Sequence, residues 1–304
     1  MLNNRTAQGR RASKTGISLE QATLVQESWV TLDGAQGAAR IRYLRAGSGP
    51  PLLLVHGLLG YSFSWRFVIP ALAEKHTVFA PDMLGAGFSD RPANLDCSMQ
   101  ACAERLLTFM DRTGMDSCDL LGTSHGGAVA MKAAALAPSR IRRLILVAPI
   151  NPWSGHGKGL SWLLSRRLIT ALFLKLGPRI RVLDEFYLRR VFGDSRRIPP
   201  DSLAGYRAPL LRPGFFEYPL GVLRSWNRDL LDLESILPRI AHIPTLLIWG
   251  SLDAAVDPAS AAFLKRHFNN CRLLKMEGVG HLPYEEVPEE FNSAVSEFLP
   301  DISR

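Results

Sequence analysis

The chain has 304 residues, of which 47% are hydrophobic and 21% are charged. This composition supplies a substantial buried core and excludes a fibrous or largely disordered protein. The net charge is +8, but the excess lies mainly in residues 151–238, which hold fourteen basic and eight acidic side chains. No zinc-finger, basic-zipper or RNP-like motif accompanies this charge, so nucleic acid is not an expected partner.

The first 25 residues are basic and contain no apolar stretch like that of a secretory signal, so we expect a disordered tail on a cytoplasmic protein. The longest apolar stretch, Leu160–Leu176, is interrupted by three basic side chains. This interruption excludes a membrane span but leaves open contact with a membrane surface. The four cysteines show no C-x-x-C or metal-ligand spacing, and we expect reduced structural thiols.

Short β-rich runs alternate with helical patterns along most of the chain. The predicted strands are Trp29–Leu32, Arg40–Arg45, Pro51–Val55, Thr77–Ala80, Asp119–Gly122, Leu144–Ala148, Thr245–Trp249 and Arg272–Met276. The predicted helices are Trp65–Glu74, Met99–Arg112, Gly126–Ala137, Ala259–His267 and Glu289–Phe298. The alternation predicts an α/β fold with a mainly parallel, eight-stranded sheet and helices on both faces.

Residues 151–238 interrupt this alternation. They contain no strand-like run and are rich in Trp, Leu, Phe, Arg and Pro, which favours several helices in a separate layer. A helical insertion between two strands of one sheet projects from the edge that carries functional loops, so this segment is predicted to be a cap. The core then comprises residues 26–150 and 239–304, and the tail residues 1–25.

Chemically active residues follow the carboxyl ends of the predicted strands, where open α/β sheets bind ligands. Ser124 lies in the sequence G-x-S-x-G, directly after a predicted strand and before a helix. The flanking glycines allow a sharp turn that holds the serine hydroxyl above the sheet. His56-Gly57-Leu58, Asp253 and His281 follow three other predicted strands.

These motifs resemble those of α/β-hydrolases with a helical cap, and the resemblance extends from about Trp29 to the C-terminus. The D-x-x-G-x-G-x-S stretch Asp82–Ser89 and the G-x-G-H-x-x-x-x-E run Gly278–Glu286 resemble further patterns of that family. The family order of nucleophile, acid and base implies a triad of Ser124, Asp253 and His281. The resemblance also implies an oxyanion hole formed by the backbone N–H groups of Leu58 and His125.

Other residues compete for these roles. Asp257 is an alternative acid, but it precedes Pro258 and better suits a helix cap. The side chain of His125 is expected to shape the pocket rather than act as a base, and His56 to brace its loop by hydrogen bonds. Family members that open epoxides or remove halides carry an aspartate at the nucleophile position, which Ser124 does not match.

Four apolar residues are predicted to line the substrate pocket: Leu59, Phe63, Trp153 and Leu282. An apolar pocket favours a small ester-type substrate with an acyl or aromatic group. The expected activity is hydrolysis of carboxylic esters through an acyl-enzyme, without a cofactor or metal. Two alternatives stay open: hydrolysis of a carbon–carbon bond in ring-cleavage products, which uses the same triad, and ligand reception with little turnover. The sequence does not indicate an oligomeric state.

Overall fold

The computed structural model describes residues 24–34, 37–154, 186 and 188–299. Most of the predicted tail and the first part of the predicted cap, residues 155–185, lie outside the described residues. The strands are β1 Gln26–Gly34, β2 Gly37–Ala46, β3 Pro51–Val55, β4 Thr77–Pro81, β5 Cys118–Thr123, β6 Ile141–Val147, β7 Thr245–Gly250 and β8 Cys271–Met276. The helices are α1 Ile69–Leu72, α2 Met99–Arg112, α3 His125–Leu136, α4 Ser202–Arg207, α5 Glu217–Ile240, α6 Ser260–Lys265, α7 Pro283–Glu286 and α8 Pro288–Phe298.

The eight strands form one sheet in the order β1-β2-β4-β3-β5-β6-β7-β8. β1 and β2 pair in antiparallel fashion with each other and with β4, and all later pairs are parallel. The predicted mainly parallel, eight-stranded sheet is therefore confirmed. Because the parallel strands share one direction, the loops after β3, β5, β7 and β8 leave the sheet at the same edge.

Side chains on the central strands alternate between two apolar layers. Leu53 and Val55 of β3 face the layer that includes α2 and α3, whereas Leu52 and Leu54 face the layer that includes α8. All four side chains are inaccessible to solvent. Alternate residues of a strand point to opposite faces, so a run that is apolar at every position is buried on both sides.

Helix boundaries follow local signals. The hydroxyl of Ser98 accepts a hydrogen bond from the N–H of Ala101 at 3.3 Å and caps α2. Gly114, at φ +71°, follows the end of that helix in the left-handed conformation that glycine adopts without strain. The predicted helix over residues 65–74 is shorter in the structure: a 3₁₀ turn over Ser62–Trp65 precedes α1, and Pro70 lies in the first turn of α1.

The described residues between β6 and β7 contain helices and turns but no strand. The longest of these helices, α5, spans 24 residues and continues beyond residue 238, where the core was predicted to resume. Leu233 and Leu237 of α5 lie in the same apolar cluster as α3. Lys132 of α3 also contacts Asp232 of α5 at 2.5 Å. The second half of α5 is therefore packed against the sheet-bearing part of the molecule.

Candidate active site

Ser124 occupies a strained turn between β5 and α3. Its φ of +53° and ψ of −122° lie outside the regions that L-residues normally adopt. The N–H of Ser124 donates to the carbonyl of Val147 at 2.9 Å, and its carbonyl accepts from the N–H of Gly127 at 3.0 Å and of Ile150 at 3.1 Å. These bonds to the neighbouring strand end and to α3 hold the turn in place.

Gly126 lets α3 approach the end of β3. A Cβ atom at this position would lie 2.3 Å from the carbonyl oxygen of His56 and 2.4 Å from that of Val55, distances that no side chain can occupy. The second glycine of the G-x-S-x-G motif is thus required by close backbone packing. The same approach places the loop after β3 next to the serine, since a Cβ on Gly57 would lie 3.1 Å from the Cβ of Ser124.

His281 and Asp253 form a buried pair at the ends of β8 and β7. The distance from Nδ1 of His281 to Oδ2 of Asp253 is 2.7 Å, and the residues are 3% and 5% exposed. The other carboxylate oxygen of Asp253 accepts from the N–H of Ala255 at 2.7 Å and of Val256 at 2.9 Å. Backbone donors and the imidazole together orient this carboxylate, and Ser124 and His281 line the same cavity.

Asp257 is engaged elsewhere. One carboxylate oxygen accepts a hydrogen bond from the N–H of Ala259 at 2.9 Å, and its backbone carbonyl accepts from the hydroxyl of Ser260 at 2.6 Å. These contacts stabilise the chain just before α6. The structure thus brings Asp253, rather than Asp257, to the imidazole.

The loop between β3 and α1 is arranged by His56. Nε2 of this imidazole accepts the N–H of Met83 at 3.0 Å, so Nδ1 carries the proton and donates to the carbonyl of Gly57 at 2.8 Å. Burial lowers the pKa of His56, which keeps the ring neutral. The N–H of Gly60 donates to the same carbonyl at 3.1 Å. In a trans peptide the N–H of Leu58 points away from this fixed carbonyl.

Two backbone N–H groups were predicted to bind an oxyanion, those of Leu58 and His125. Leu58 lines the cavity with Ser124, and the adjacent Leu59 has a positive φ of +64°. His125 is the first residue of α3, and the first N–H groups of a helix have no acceptor within the helix. The side chain of His125 is 3% exposed and packs edge-on against Tyr218, with ring centroids 6.2 Å apart. Burial lowers its pKa to about 4, so it stays neutral.

Glu286 links the loop of His281 to the segment that precedes α4. Its buried carboxylate accepts the N–H of Gly280 at 2.8 Å and those of Gly193 and Asp194 at 2.9 Å. The N–H of His281 itself donates to the carbonyl of Val191 at 2.6 Å. Sequence reasoning noted Glu286 only as part of a motif, and the spacing G-x-G-H-x-x-x-x-E is the signal that could have identified it.

The cavity at Ser124 has a volume of about 30 Å³, room for a small group of a substrate. It is lined by Gly57, Leu58, Leu59, Gly60, Ser64, Ser124, Leu188, Tyr206, His281, Leu282 and Tyr284. Leu59 and Leu282 thus lie where the sequence predicted, whereas Phe63 and Trp153 do not line this cavity. Sequence analysis did not identify Ser64, Leu188, Tyr206 or Tyr284 as pocket residues, because only the fold brings them to the serine.

Phe63 and Trp153 pack at other places. The ring of Phe63 leaves no room for a side chain on Gly205, and it meets the ring of Tyr206 edge-on with centroids 5.4 Å apart. Phe63 therefore packs against Tyr206, which lines the cavity, without lining the cavity itself. Trp153 stacks on His267 with centroids 4.8 Å apart. His267 follows α6, and Phe263 of α6 also stacks on Trp153 with centroids 6.5 Å apart.

Further features bear on cofactors and membranes. In residues 24–34, 37–154, 186 and 188–299, no three His, Cys, Asp or Glu side chains cluster in a way that could hold a metal ion. Within the same ranges, no helix combines the length and apolarity that a membrane span requires. The four cysteines are free thiols, and three of them are buried.

Comparisons with known proteins agree with this geometry. Residues 50–288 match the model of the α/β hydrolase fold family. Haloalkane dehalogenase 2 of Mycobacterium tuberculosis is 30% identical over 280 residues, covering 87% of this chain and 92% of that protein. The 2-hydroxymuconate semialdehyde hydrolase of Pseudomonas sp. strain CF600 is 29% identical over 267 residues, covering 84% and 89%. The crystal structure of a bacterial membrane phospholipase A superposes with a TM-score of 0.72 at 27% identity, covering 90% and 85%. The chain belongs to the α/β-hydrolase fold family and is a hydrolase.

Proposed function

We propose that the protein is a serine hydrolase that cleaves carboxylic esters of small apolar acyl or aromatic acids through an acyl-enzyme. The observation that carries this proposal is the position of Ser124. It lies on a strained turn, in the same cavity as an imidazole that is hydrogen bonded to a buried carboxylate. This arrangement supports roles as nucleophile, base and acid for Ser124, His281 and Asp253.

Acylation follows from the residue types. A serine hydroxyl is too weakly acidic to attack at neutral pH, so Nε2 of His281 takes its proton as the oxygen adds to the ester carbonyl. Asp253 accepts a hydrogen bond from Nδ1–H of His281. This contact fixes the tautomer of His281 in which Nε2 is unprotonated and can accept the serine proton. The N–H groups of Leu58 and His125 bind the oxyanion of the tetrahedral intermediate. The intermediate collapses as the imidazolium donates its proton to the departing alcohol.

Deacylation repeats these steps with water. His281 removes a proton from water as the water oxygen adds to the acyl carbonyl, and a second oxyanion forms at the same two N–H groups. The imidazolium then returns a proton to Oγ of Ser124, and the acid leaves. Apart from the ester and water, both halves of the proposed reaction use only groups of the protein.

The likeness to a haloalkane dehalogenase does not carry that reaction to this chain. Displacement of a halide by a serine oxygen would form an alkyl ether, which water cannot cleave with the groups at this site. A carboxylate nucleophile would instead form an ester, which can be hydrolysed. With Ser124 at this position, an acyl group is the transferable unit, and similarity to a phospholipase A, named for ester hydrolysis, favours the same choice.

A second candidate is hydrolysis of a carbon–carbon bond next to a ketone. The observation in its favour is the 29% identity to 2-hydroxymuconate semialdehyde hydrolase across 84% of this chain. The same triad would serve, because water adds to a carbonyl in both reactions. The two candidates differ in the leaving group, which is an alkoxide in one and a carbanion in the other.

The deciding experiment is a panel of p-nitrophenyl esters with graded acyl length, run beside one ring-fission dienoate. We expect ester turnover that is fastest with short acyl chains, since the cavity is small. Faster turnover of the dienoate would establish the second candidate instead.

The catalytic role of Ser124 is tested with a fluorophosphonate probe, which should label this residue. We expect Ser124→Ala to block labelling and to lower kcat for p-nitrophenyl butyrate by about 10⁶-fold while the protein stays folded. A folded protein that neither reacts with the probe nor turns over any ester would favour a ligand receptor. Wild-type activity in Ser124→Ala would refute the assignment of the nucleophile.

A further inference from the structure

A second buried polar cluster lies beside the triad and has no part in the mechanism above. At its centre is Glu285 of α7, whose side chain is fully inaccessible to solvent. Its carboxylate accepts hydrogen bonds from Arg66 at 3.0 Å, from Ser202 at 3.4 Å and from the hydroxyl of Tyr206. Burial raises the pKa of Glu285, and the guanidinium of Arg66 opposes this rise.

The cluster joins the core to the helix α4. Ser202 and Tyr206 belong to α4, which precedes α5, whereas Arg66 and Glu285 belong to the sheet-bearing part. Arg66 also donates to Ser202 at 2.8 Å and contacts Asp201 at 3.1 Å. A buried ion pair with this many hydrogen bonds is costly to desolvate and is therefore weak evidence for a purely stabilising role.

Two hydroxyl groups connect this cluster to the cavity at Ser124. The hydroxyl of Tyr206 lies 2.9 Å from Oγ of Ser64, and both residues line the cavity that contains Ser124 and His281. Among the described residues that line it, the remaining side chains are leucines, apart from those of Ser124, His281 and Tyr284. A pair of hydroxyl groups in an otherwise apolar wall offers a specific contact for a polar group of a ligand.

Hydrogen-bond counting indicates which polar group fits. Each hydroxyl has one proton to donate and lone pairs that accept. The proton of Tyr206 is directed to Glu285, so Ser64 is the donor in the 2.9 Å hydrogen bond between Ser64 and Tyr206. The remaining lone pairs of the two oxygens are left to accept from a ligand. The pair thus matches a group that donates a hydrogen bond, as an alcohol does.

We propose that Ser64, Tyr206 and Glu285 form a hydroxyl subsite, in which the first two residues bind an alcohol group of the substrate and Glu285 orients Tyr206. The proposal rests on the proposed ester hydrolysis and narrows its substrates to esters with a hydroxyl group close to the scissile carbonyl. Ser64, Tyr206 and Ser124 line the same cavity, so a hydroxyl bound at the subsite lies on the same part of the substrate as the scissile carbonyl.

The test compares methyl 3-hydroxybutyrate with methyl butyrate, which differ only in the hydroxyl group. We expect the wild-type protein to hydrolyse the hydroxy ester with at least tenfold higher kcat/KM, because a substrate alcohol satisfies buried polar groups that an alkyl chain leaves unpaired. Tyr206→Phe should lower the ratio of the two kcat/KM values to near one. Ser64→Ala serves as a second variant, should Tyr206→Phe fail to fold.

Tyr218→Phe is the matched control. Tyr218 is also a buried tyrosine, but its hydroxyl lies 3.8 Å from the Sγ of Cys102 and it does not line the cavity at Ser124. This variant should keep the wild-type ratio. If Tyr206→Phe slows hydrolysis of both esters equally, the cluster only stabilises the packing of α4 on the core. That result would refute the proposed subsite.

Binding separates failure of the subsite from failure of ester hydrolysis. Calorimetric titration of Ser124→Ala with the two methyl esters measures the preference without turnover, and we expect at least fivefold tighter binding of the hydroxy ester. Adding Tyr206→Phe should abolish that difference. Equal binding of both esters by Ser124→Ala refutes the subsite even if plain esters are cleaved, whereas absence of fluorophosphonate labelling in the wild-type protein refutes only the hydrolase proposal.

Discussion

At Ser124, backbone geometry and side-chain chemistry depend on each other. The positive φ of this residue is tolerated because the chain on both sides is held by hydrogen bonds to β6 and α3. Three further non-glycine residues of the described ranges have positive φ values, and two of them, Leu59 and Ala148, follow the strands on either side of β5. The third, Asn94, lies elsewhere and is of a residue type that tolerates this conformation. Much of the backbone strain thus lies around the candidate site.

The two aspartates after β7 give a matched test of the triad. We expect Asp253→Asn to lower kcat for p-nitrophenyl butyrate by about 10⁴-fold, because an amide would favour the wrong tautomer of His281. Asp257→Asn should change kcat less than about twofold, since that residue contacts only the start of α6. A larger loss of kcat in Asp257→Asn than in Asp253→Asn would show that Asp257 is the acid of the triad.

Ser124, Asp253 and His281 were predicted as one set because each follows a predicted strand and the resemblance to α/β-hydrolases implies their order and roles. Tyr206 and Ser64 could not be found in this way. They meet across 142 positions of the chain, through the packing of α4 on the core. Trp153 was predicted to line the substrate pocket. It follows β6 at the edge of the sheet that carries Ser124, but its ring stacks on His267 instead.

At the scale of elements, Glu286 joins the loop of His281 to the segment that precedes α4. It binds the backbone on both sides of the contact between His281 and Val191. The predicted cap and the predicted catalytic loop are therefore not independent. Sequence periodicity located the helices, but it could not reveal that the chain entering α4 is bonded to the loop after β8.

We expect Glu286→Gln to lower kcat about tenfold with little change in KM, because an amide supplies one acceptor oxygen where the carboxylate supplies two. The rate of fluorophosphonate labelling should fall in parallel, since labelling also requires His281. Glu290→Gln, on the exposed first turn of α8, is the control and should behave as wild type. Labelling of Glu286→Gln at the wild-type rate would show that Glu286 does not position His281.

At the scale of the whole molecule, folding buries the imidazoles of His56, His76 and His125. Burial lowers the pKa of all three, and that of His125 to about 4. In the unfolded chain a histidine titrates near pH 6.5, so below that pH the unfolded state binds protons that the folded state cannot. Above pH 6.5 the buried neutral imidazoles therefore cost the folded state no stability. As the pH falls from 6.5 toward 4, protonation of the unfolded chain lowers the free energy of unfolding.

We expect the free energy of unfolding to decrease between pH 6.5 and pH 4, with about 3 kcal/mol of the decrease due to His125. His125→Leu should flatten the dependence by this amount in urea titrations at several pH values. His242→Gln replaces an exposed histidine and should keep the wild-type dependence. An unchanged slope in His125→Leu would mean that this imidazole titrates normally in the folded protein.

Helix α5 begins beside the catalytic turn, where Tyr218 meets His125, and ends among the apolar side chains beneath the sheet. One helix therefore contacts both regions. Because both of its ends pack against the rest of the molecule, we expect calorimetry of the protein to record a single cooperative transition for the core and α5 together.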